Sequence, residues 1–446
     1  MDVSRRKFLK RVAAGASLVV LPAASARSYA ANDTISLGII GVGGMGGGNR
    51  KHLARLPGTA IVALCDVDRG RLAGAQRDHP KARAYVDYRK MLEEVKEIDG
   101  VMVSTPDHHH FPASMLAIRL GKAVSTEKPL THSVWEARQL AIAARKHKVA
   151  TQHDHEGHAS EGLRRTVEWV KSGAIGKVRQ VHIWTNRPIW PQGISKRPPS
   201  KPVPKGLEWD LWVGPAPYRD YHDHLHPFQW RGWWDFGTCA LGDMGCHFWD
   251  SAVWALELGH PESVEAIHGG NSQETGPNWS TVTYEFPARG DLPPGTVTWW
   301  DGRKGGPGGK KVQNMPPAPP GMEPGRKLPN NGSMFLGEKA TLVVAGTSSP
   351  RLVPESKMKD FPPPKPFLPR VGDHKRDWLN AIRTGKPAGS DFALYGAHLA
   401  EVVLLGNVAI RAGEKLNWDG ENLKARNCPR ADRFIRREYR KGWDFS

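Results

Sequence analysis

Between Thr34 and Gln152, short apolar runs alternate with segments whose apolar residues recur every three or four positions. The runs 35–41, 60–65, 101–104, 123–126 and 149–151 predict strands, and 88–95, 111–120 and 134–146 predict helices between them. Strands separated by helices of this length imply a parallel sheet with helices on both faces. Beyond residue 152 the pattern changes. Segment 161–171 has an amphipathic helical period, 179–185 alternates in polarity like a half-buried strand, and 241–254 and 397–411 read as helices. Two Pro/Gly-rich stretches, 188–205 and 302–329, read as long surface loops.

Residues 1–30 read differently again. Ser4-Arg5-Arg6-Lys7-Phe8-Leu9-Lys10, an apolar core and Ala24-Ser25-Ala26 match a twin-arginine signal peptide with a cleavage site, followed by a short linker. The expected destination is the periplasm or the cell exterior. The apolar core is shorter than the ~20 residues a spanning helix needs, and no later segment reads as long and apolar enough to cross a membrane. No cysteine precedes Cys65, so no lipid anchor is expected.

The formal net charge is +18. Its basic residues are dispersed rather than clustered, which argues against nucleic acid as a partner. The cysteines Cys65, Cys239, Cys246 and Cys428 show no CxxC spacing. Cys239 and Cys246 can pair in an oxidising compartment, but buried free thiols are the expectation.

At the predicted first strand-to-helix junction lies Gly41-Val-Gly43-Gly44-Met45-Gly46. Gly41 permits a tight turn, Gly43 lets backbone approach a pyrophosphate, and Gly46 lets helix and strand pack closely. Asp66, at the end of the second predicted strand, is placed to accept hydrogen bonds from a ribose. Its charge repels a 2′-phosphate, favouring NAD over NADP, although Arg69 and Arg71 weaken that preference.

Thr105-Pro106-Asp-His-His109-His110, Glu127-Lys128-Pro129, Gly157-His158, Trp230-Arg231-Gly-Trp233-Trp234-Asp-Phe-Gly237, Gly242-Asp243-Met-Gly-Cys-His247 and the segment 377–385 together resemble the Gfo/Idh/MocA family of glucose–fructose oxidoreductases and inositol dehydrogenases. The resemblance implies an N-terminal Rossmann NAD-binding domain (31–152) and a C-terminal α/β domain (153–446) with a large, mostly antiparallel sheet. That sheet commonly forms an oligomer interface, so a homodimer or homotetramer is expected. The resemblance also implies an NAD(P)-dependent oxidoreductase. Thr105, Pro106, His109, Glu127 and Lys128 join the glycine loop and Asp66 around the cofactor.

Removing hydride from a carbinol carbon requires a base within reach of the hydroxyl proton. His247 is the candidate, with Asp243 four residues earlier on the same helical face to orient it. Asp250 is a second possible orienting group. From the family pattern, Lys128, Asp243 and His247 carry over as the catalytic set, with Lys128 bonding the reacting oxygen. The substrate expected is a sugar, cyclitol or glycoside, oxidised at a secondary hydroxyl. Trp233 and Trp234 are expected to stack on it, and His158 and Arg231 to bond its polar groups. The patches His153-Asp-His155-Glu-Gly-His158 and His222, His224, His226 contain metal-binding residue types, but no metal is assigned.

Export conflicts with a soluble cofactor, since a periplasm supplies little free NAD. Tight retention is therefore expected, with recycling by a second carbonyl substrate, a redox-neutral reaction or an external acceptor. An NAD-assisted glycoside hydrolase, lyase or epimerase is the alternative within enzymology, and a non-catalytic sugar-binding protein the alternative outside it.

Overall fold

The structure is a computed structural model describing residues 34–306 and 309–445. The leader expectation falls on residues outside these. Ten alternating elements open the chain: β1 (Ile35–Ile40), α1 (Gly44–Leu53), β2 (Thr59–Cys65), α2 (Arg69–Asp78), β3 (Arg83–Tyr85), α3 (Tyr88–Glu94), β4 (Gly100–Val103), α4 (His110–Arg119), β5 (Ala123–Glu127) and α5 (Val134–His147). An eleventh, β6 (Thr151–Asp154), ends the sheet two residues past the expected boundary at 152. The strands lie in the order β3-β2-β1-β4-β5-β6, all parallel. This order reverses between β1 and β4, and ligands of such sheets bind in the crevice there. The central strands are buried on both faces, which is why they read as continuous apolar runs. Helix α5 starts at a capping box in which Ser133 and Glu136 satisfy each other's backbone.

The second half continues with α6 (Glu161–Lys171), β7 (Val178–Trp184), the short α7 (Trp209–Val213), α8 (Cys239–Phe248) and α9 (Asp250–Ala255). Then come β8 (Ser263–Gly269), β9 (Trp279–Phe286), β10 (Gly295–Gly305), β11 (Lys311–Gln313), β12 (Gly332–Gly337), β13 (Thr341–Ala345) and β14 (Arg351–Val353). Helices α10 (His374–Thr384) and α11 (Ala397–Ala412), strands β15 (Leu416–Asp419) and β16 (Lys424–Ala425), and α12 (Asp432–Ile435) complete the order. Ten strands form a sheet β14-β13-β12-β7-β10-β9-β8-β15-β16, with β11 paired to β10. Every pairing is antiparallel except β7 with β10.

Two sequence expectations need correction, and the core of the first half extends beyond its own segment. Segment 302–329 is not all loop, because β10 runs to Gly305 and turns back through β11. Buried Asn314 then donates to the Ser280 and Asp301 carbonyls, fixing the start of the remaining loop. One later run, Phe392–Ala412, does reach the length and hydropathy of a membrane span, yet 78% of its apolar window is buried within the protein. It is the core helix lying on the inner face of the large sheet. Finally, the nucleotide-binding half is not closed by residues 31–152 alone. Trp378 and Leu379 of α10 are buried in its core, and Gly100 leaves room for the Trp378 ring. Cys65, Cys239, Cys246 and Cys428 are free and buried, as expected.

Packing between α11 and the sheet depends on a missing side chain. A Cβ on Gly406 would meet the Tyr284 hydroxyl at 2.1 Å and Leu241 at 2.5 Å, and that hydroxyl donates to the Val403 carbonyl. Gly406→Ala should therefore destabilise the fold by about 1–3 kcal/mol through overpacking, despite alanine's better helix propensity. A lower urea midpoint at unchanged slope would confirm it, and an unchanged or higher midpoint would refute it.

Candidate active site

A cleft of about 320 Å³ runs along the carboxyl ends of β1, β2, β4 and β5. Gly41, Gly43, Gly44, Met45, Asp66, Thr105, Pro106, His109, Glu127 and Lys128 all line it. Gly46 stands just behind, where a Cβ would strike the Gly41 carbonyl at 2.0 Å. Gly41 itself has φ +83°, and a Cβ there would lie 2.5 Å from the Ser104 carbonyl. No side chain caps the N-terminus of α1, and no acidic residue occupies its first turn. Its N–H groups and dipole are thus left for an anion.

Asp66 is held at the end of β2 by the Val42 and Asp68 backbone N–H groups, both at 2.9 Å. Burial raises its pKa, and those two donors oppose the rise. Of the two arginines weighed against it, Arg69 turns away to Glu208 at 2.7 Å, whereas Arg71 lies over Gly43 and lines the cleft. The buried Thr105 hydroxyl has no partner among the described residues. An uncapped helix end, an approachable backbone, a ribose-facing carboxylate and a spare hydroxyl fit a dinucleotide.

The catalytic candidates gather where this cleft meets α8. Lys128 Nζ donates to Asp243 Oδ1 at 3.0 Å and to the Asp243 carbonyl at 3.1 Å. Arg231 Nε reaches the same Oδ1 at 3.3 Å. Burial works against the Lys128 ammonium, but Asp243 and Glu127 outweigh it and hold its pKa above the usual lysine value. Burial equally opposes the Asp243 carboxylate, and Lys128 and Arg231 more than compensate, so its pKa is lowered. His247 stands one helical turn beyond Asp243. Its ring is half-buried, lies outside the cleft lining proper and makes no hydrogen bond among the described residues. Burial, aided by Lys128, pushes its pKa down to about 3, so the imidazole is neutral near pH 7.

The expected substrate contacts divide. Arg231 lines the cleft, its guanidinium packed 4.4 Å from the Trp230 ring and 4.5 Å from that of Phe228. Trp233 and Trp234 do not reach it. Trp233 is fully buried against His222, while Trp234 is buried, donates to the Ser272 carbonyl and packs beneath Arg411. Apolar indole faces gain more from that core than from an open cleft. His158 also misses the cleft, because Asp250 holds its Nδ1 at 3.0 Å behind α8. The other imidazoles scatter: His222 packs on Trp233, and His226 lines the cleft 3.7 Å from Asp68.

Two lining residues, Asp107 and Trp443, and one residue that supports the lining, Asn49, escaped the sequence reading. Asn49 on α1 donates to Glu127 at 2.9 Å, fixing that carboxylate beneath the loop. Asp107 accepts from the Thr238 hydroxyl and N–H, and burial raises its pKa to about 6. Trp443 comes from the far end of the chain, with its ring 5.4 Å from His109 and Arg89 4.1 Å above it. The tail bearing Trp443 is anchored by Arg437 and Tyr439, each 2.8 Å from buried Glu136. Asn49 and Asp107 sit beside recognisable motifs and were within reach of such a reading. Nothing local pointed to Trp443.

Comparison with known proteins agrees with this architecture. Residues 35–155 match the Gfo/Idh/MocA model described as an oxidoreductase family, NAD-binding Rossmann fold, and 169–290 match its C-terminal alpha/beta domain. Glycosyl hydrolase family 109 protein 1 of Bacteroides fragilis is 36% identical over 126 residues, 26% of this chain and 27% of its own. Inositol 2-dehydrogenase of Rubrobacter xylanophilus is 32% identical over 113 residues, 25% of this chain and 32% of its own. The chain thus spans only about a quarter to a third of these two relatives. The WlbA dehydrogenase of Bordetella pertussis, solved with NADH and UDP-GlcNAcA, superposes with a TM-score of 0.60 at 16% identity, over 88% of this chain and 99% of that one. Aldose-aldose oxidoreductase of Caulobacter crescentus gives 0.57 at 16% identity, over 86% and 100%. At such identities the likeness shows the fold, a Rossmann domain joined to an α/β domain with a mostly antiparallel sheet. By the two domain models, which together span more than half of it, the chain belongs to the Gfo/Idh/MocA family of NAD-binding oxidoreductases.

Proposed function

We propose that this protein oxidises a secondary hydroxyl of a sugar, cyclitol or glycoside. The observation that carries this reading is the Lys128 ammonium, fixed 3.0 Å from Asp243 where the glycine-loop cleft meets α8. NAD bound in the cleft supplies the hydride acceptor. Lys128 has a proton free to hydrogen-bond the reacting oxygen and stabilises the negative charge that develops there. Neutral His247 takes the hydroxyl proton, and the Asp243 carboxylate supports the resulting imidazolium. Arg231 and the Trp230 face offer a hydrogen-bond donor and a stacking surface for a sugar ring.

A second reading draws support from the relatives named as glycosyl hydrolases of family 109. In it the same residues oxidise a glycoside hydroxyl to a ketone, the leaving group departs by elimination, water adds in its place, and re-reduction of the ketone leaves no net NADH. Incubating the purified protein with sugars and aryl glycosides separates the two readings. Net reduced nicotinamide favours the dehydrogenase, and released sugar without it favours the hydrolase.

The export reading of the leader remains part of this proposal and makes retention of NAD necessary. Support comes from the second half, which closes over the cleft with Trp212, Phe228 and the tail residue Trp443. Pairing of copies is assigned to the outward face of the large sheet. Ile267 is exposed there opposite Thr281, whose other neighbour across the sheet is Trp300.

His247→Ala should lower kcat by about a hundred- to ten-thousand-fold, the usual worth of a general base, while NAD affinity measured by calorimetry stays unchanged. Full turnover in that variant would remove His247 from the mechanism. An NMR titration of the His247 ring should show it neutral from pH 7 downwards, charging only as pH falls toward about 3. Lys128→Met should move that transition upward by removing a repelling cation. Trp443→Ala should weaken NAD binding about two- to tenfold, the worth of a lost aromatic contact. Unaltered affinity would show that the tail does not help hold the cofactor.

A further inference from the structure

At the junction of α8 and α9 lies a second group of side chains that this chemistry does not use. His155 follows β6, His158 sits in the turn Glu156–Ala159, and Asp250 opens α9. All three are buried, and their nitrogen and oxygen ligand atoms lie within 4.8 Å of one another. We propose that His155, His158 and Asp250 form a binding site for a zinc-class divalent cation.

Three observations carry the assignment. The first is spacing. Asp250 Oδ2 is 3.3 Å from His155 Nε2 and 3.1 Å from His158 Nδ1. Zinc bound at ~2.0–2.2 Å to nitrogen and oxygen sets tetrahedral ligand–ligand edges of about 3.3 Å.

The second is the hydrogen bonding of His155. Its Nδ1 lies 3.1 Å from the His153 carbonyl, which can only accept, so this nitrogen carries a proton. A backbone carbonyl holding the far nitrogen is the usual outer support of a metal-bound histidine. Nε2 then faces the Asp250 carboxylate at 3.3 Å, again an acceptor, and has no well-formed hydrogen bond among the described residues although it is fully buried. A cation between the two atoms gives both lone pairs a partner, whereas a buried polar atom left alone costs about 1–3 kcal/mol.

The third is rigidity. The His158 ring stacks on Trp254 at 4.5 Å, and the Tyr395 hydroxyl donates to Asp250 Oδ1 at 2.5 Å. The ligands are thus held in place by neighbours other than each other. A fourth position remains for a water or for Tyr395.

The other compact His/carboxylate group, His260, His398 and Glu401, differs in this respect. The Arg138 guanidinium already lies 2.7 Å from Glu401, so that group has its cation.

A metal at Asp250 would stand less than one helical turn from His247. It would tie the loop after β6 to the α8–α9 junction and so steady the helix that carries the imidazole.

Tag-free protein, stripped with chelator and reloaded with zinc alone, should hold about one ion per chain by mass spectrometry, with a higher melting temperature than the stripped form. Replacing zinc by cobalt(II) should give the visible absorption of a four-coordinate nitrogen/oxygen site. His155→Asn and His158→Asn should each abolish both signals, while His222→Asn, outside the group, should retain them. If either variant fails to fold, the cobalt spectrum of the unaltered protein decides by the presence or absence of imidazole ligation. Failure to take up stoichiometric zinc, or uptake that persists in the two variants, would overturn the proposal and leave an ordinary buried ion pair. NAD affinity and turnover are separate readouts, so this result stands independently of the proposed reaction.

Discussion

One buried contact sets the geometry of everything near the cleft: the Lys128 ammonium on the Asp243 carboxylate. Lys128 follows the end of β5 and Asp243 belongs to α8, so at the cleft the parallel sheet and the second half meet through a buried pair of opposite charges. Neither group would be comfortable alone in that environment. Burial opposes the charge on each, and only the partner, with Glu127 and Arg231 nearby, keeps both ionised. Breaking such a pair costs more than an exposed ion pair ever contributes. The same ammonium adds to the burial that depresses the His247 imidazole, so this pair bears both on how the two halves meet at the cleft and on the protonation state of the candidate base.

Much of this was legible in the residues. The glycine spacing and Asp66 announced a dinucleotide fold because each position answers a backbone requirement within a few residues of itself. Glu127-Lys128 and Asp243-x3-His247 were legible because strand ends and helical turns bring such residues to predictable places. Tryptophan was where the reading failed. A sequence shows that Trp230, Trp233 and Trp234 are adjacent, but the irregular turn they occupy has no period from which to infer direction, and only the first faces the cleft. His158 failed for a related reason. Its motif was recognised, but its partner Asp250 lies 92 residues away and turns the ring inward.

Contacts of long sequence separation explain the remaining omissions. Asn49 reaches Glu127 across 78 residues, and Arg437 reaches Glu136 across 301. Loop closure over such spans leaves no local signature, since each partner looks like an ordinary surface polar residue until the fold brings them together. The Glu136 carboxylate shows the difficulty well. It belongs to a capping box that is easily anticipated, yet it also anchors the tail that carries Trp443 to the cleft.

The seat of Trp378 against Gly100 carries a consequence for biogenesis. During synthesis the nucleotide-binding half emerges early, but the indole that covers one side of its sheet arrives only with α10, and the tail later still. Until then the ribosome-bound intermediate presents an apolar face and an open groove. The cleft stands open throughout that interval, and the last segment to dock is the one that brings Trp443 to its rim.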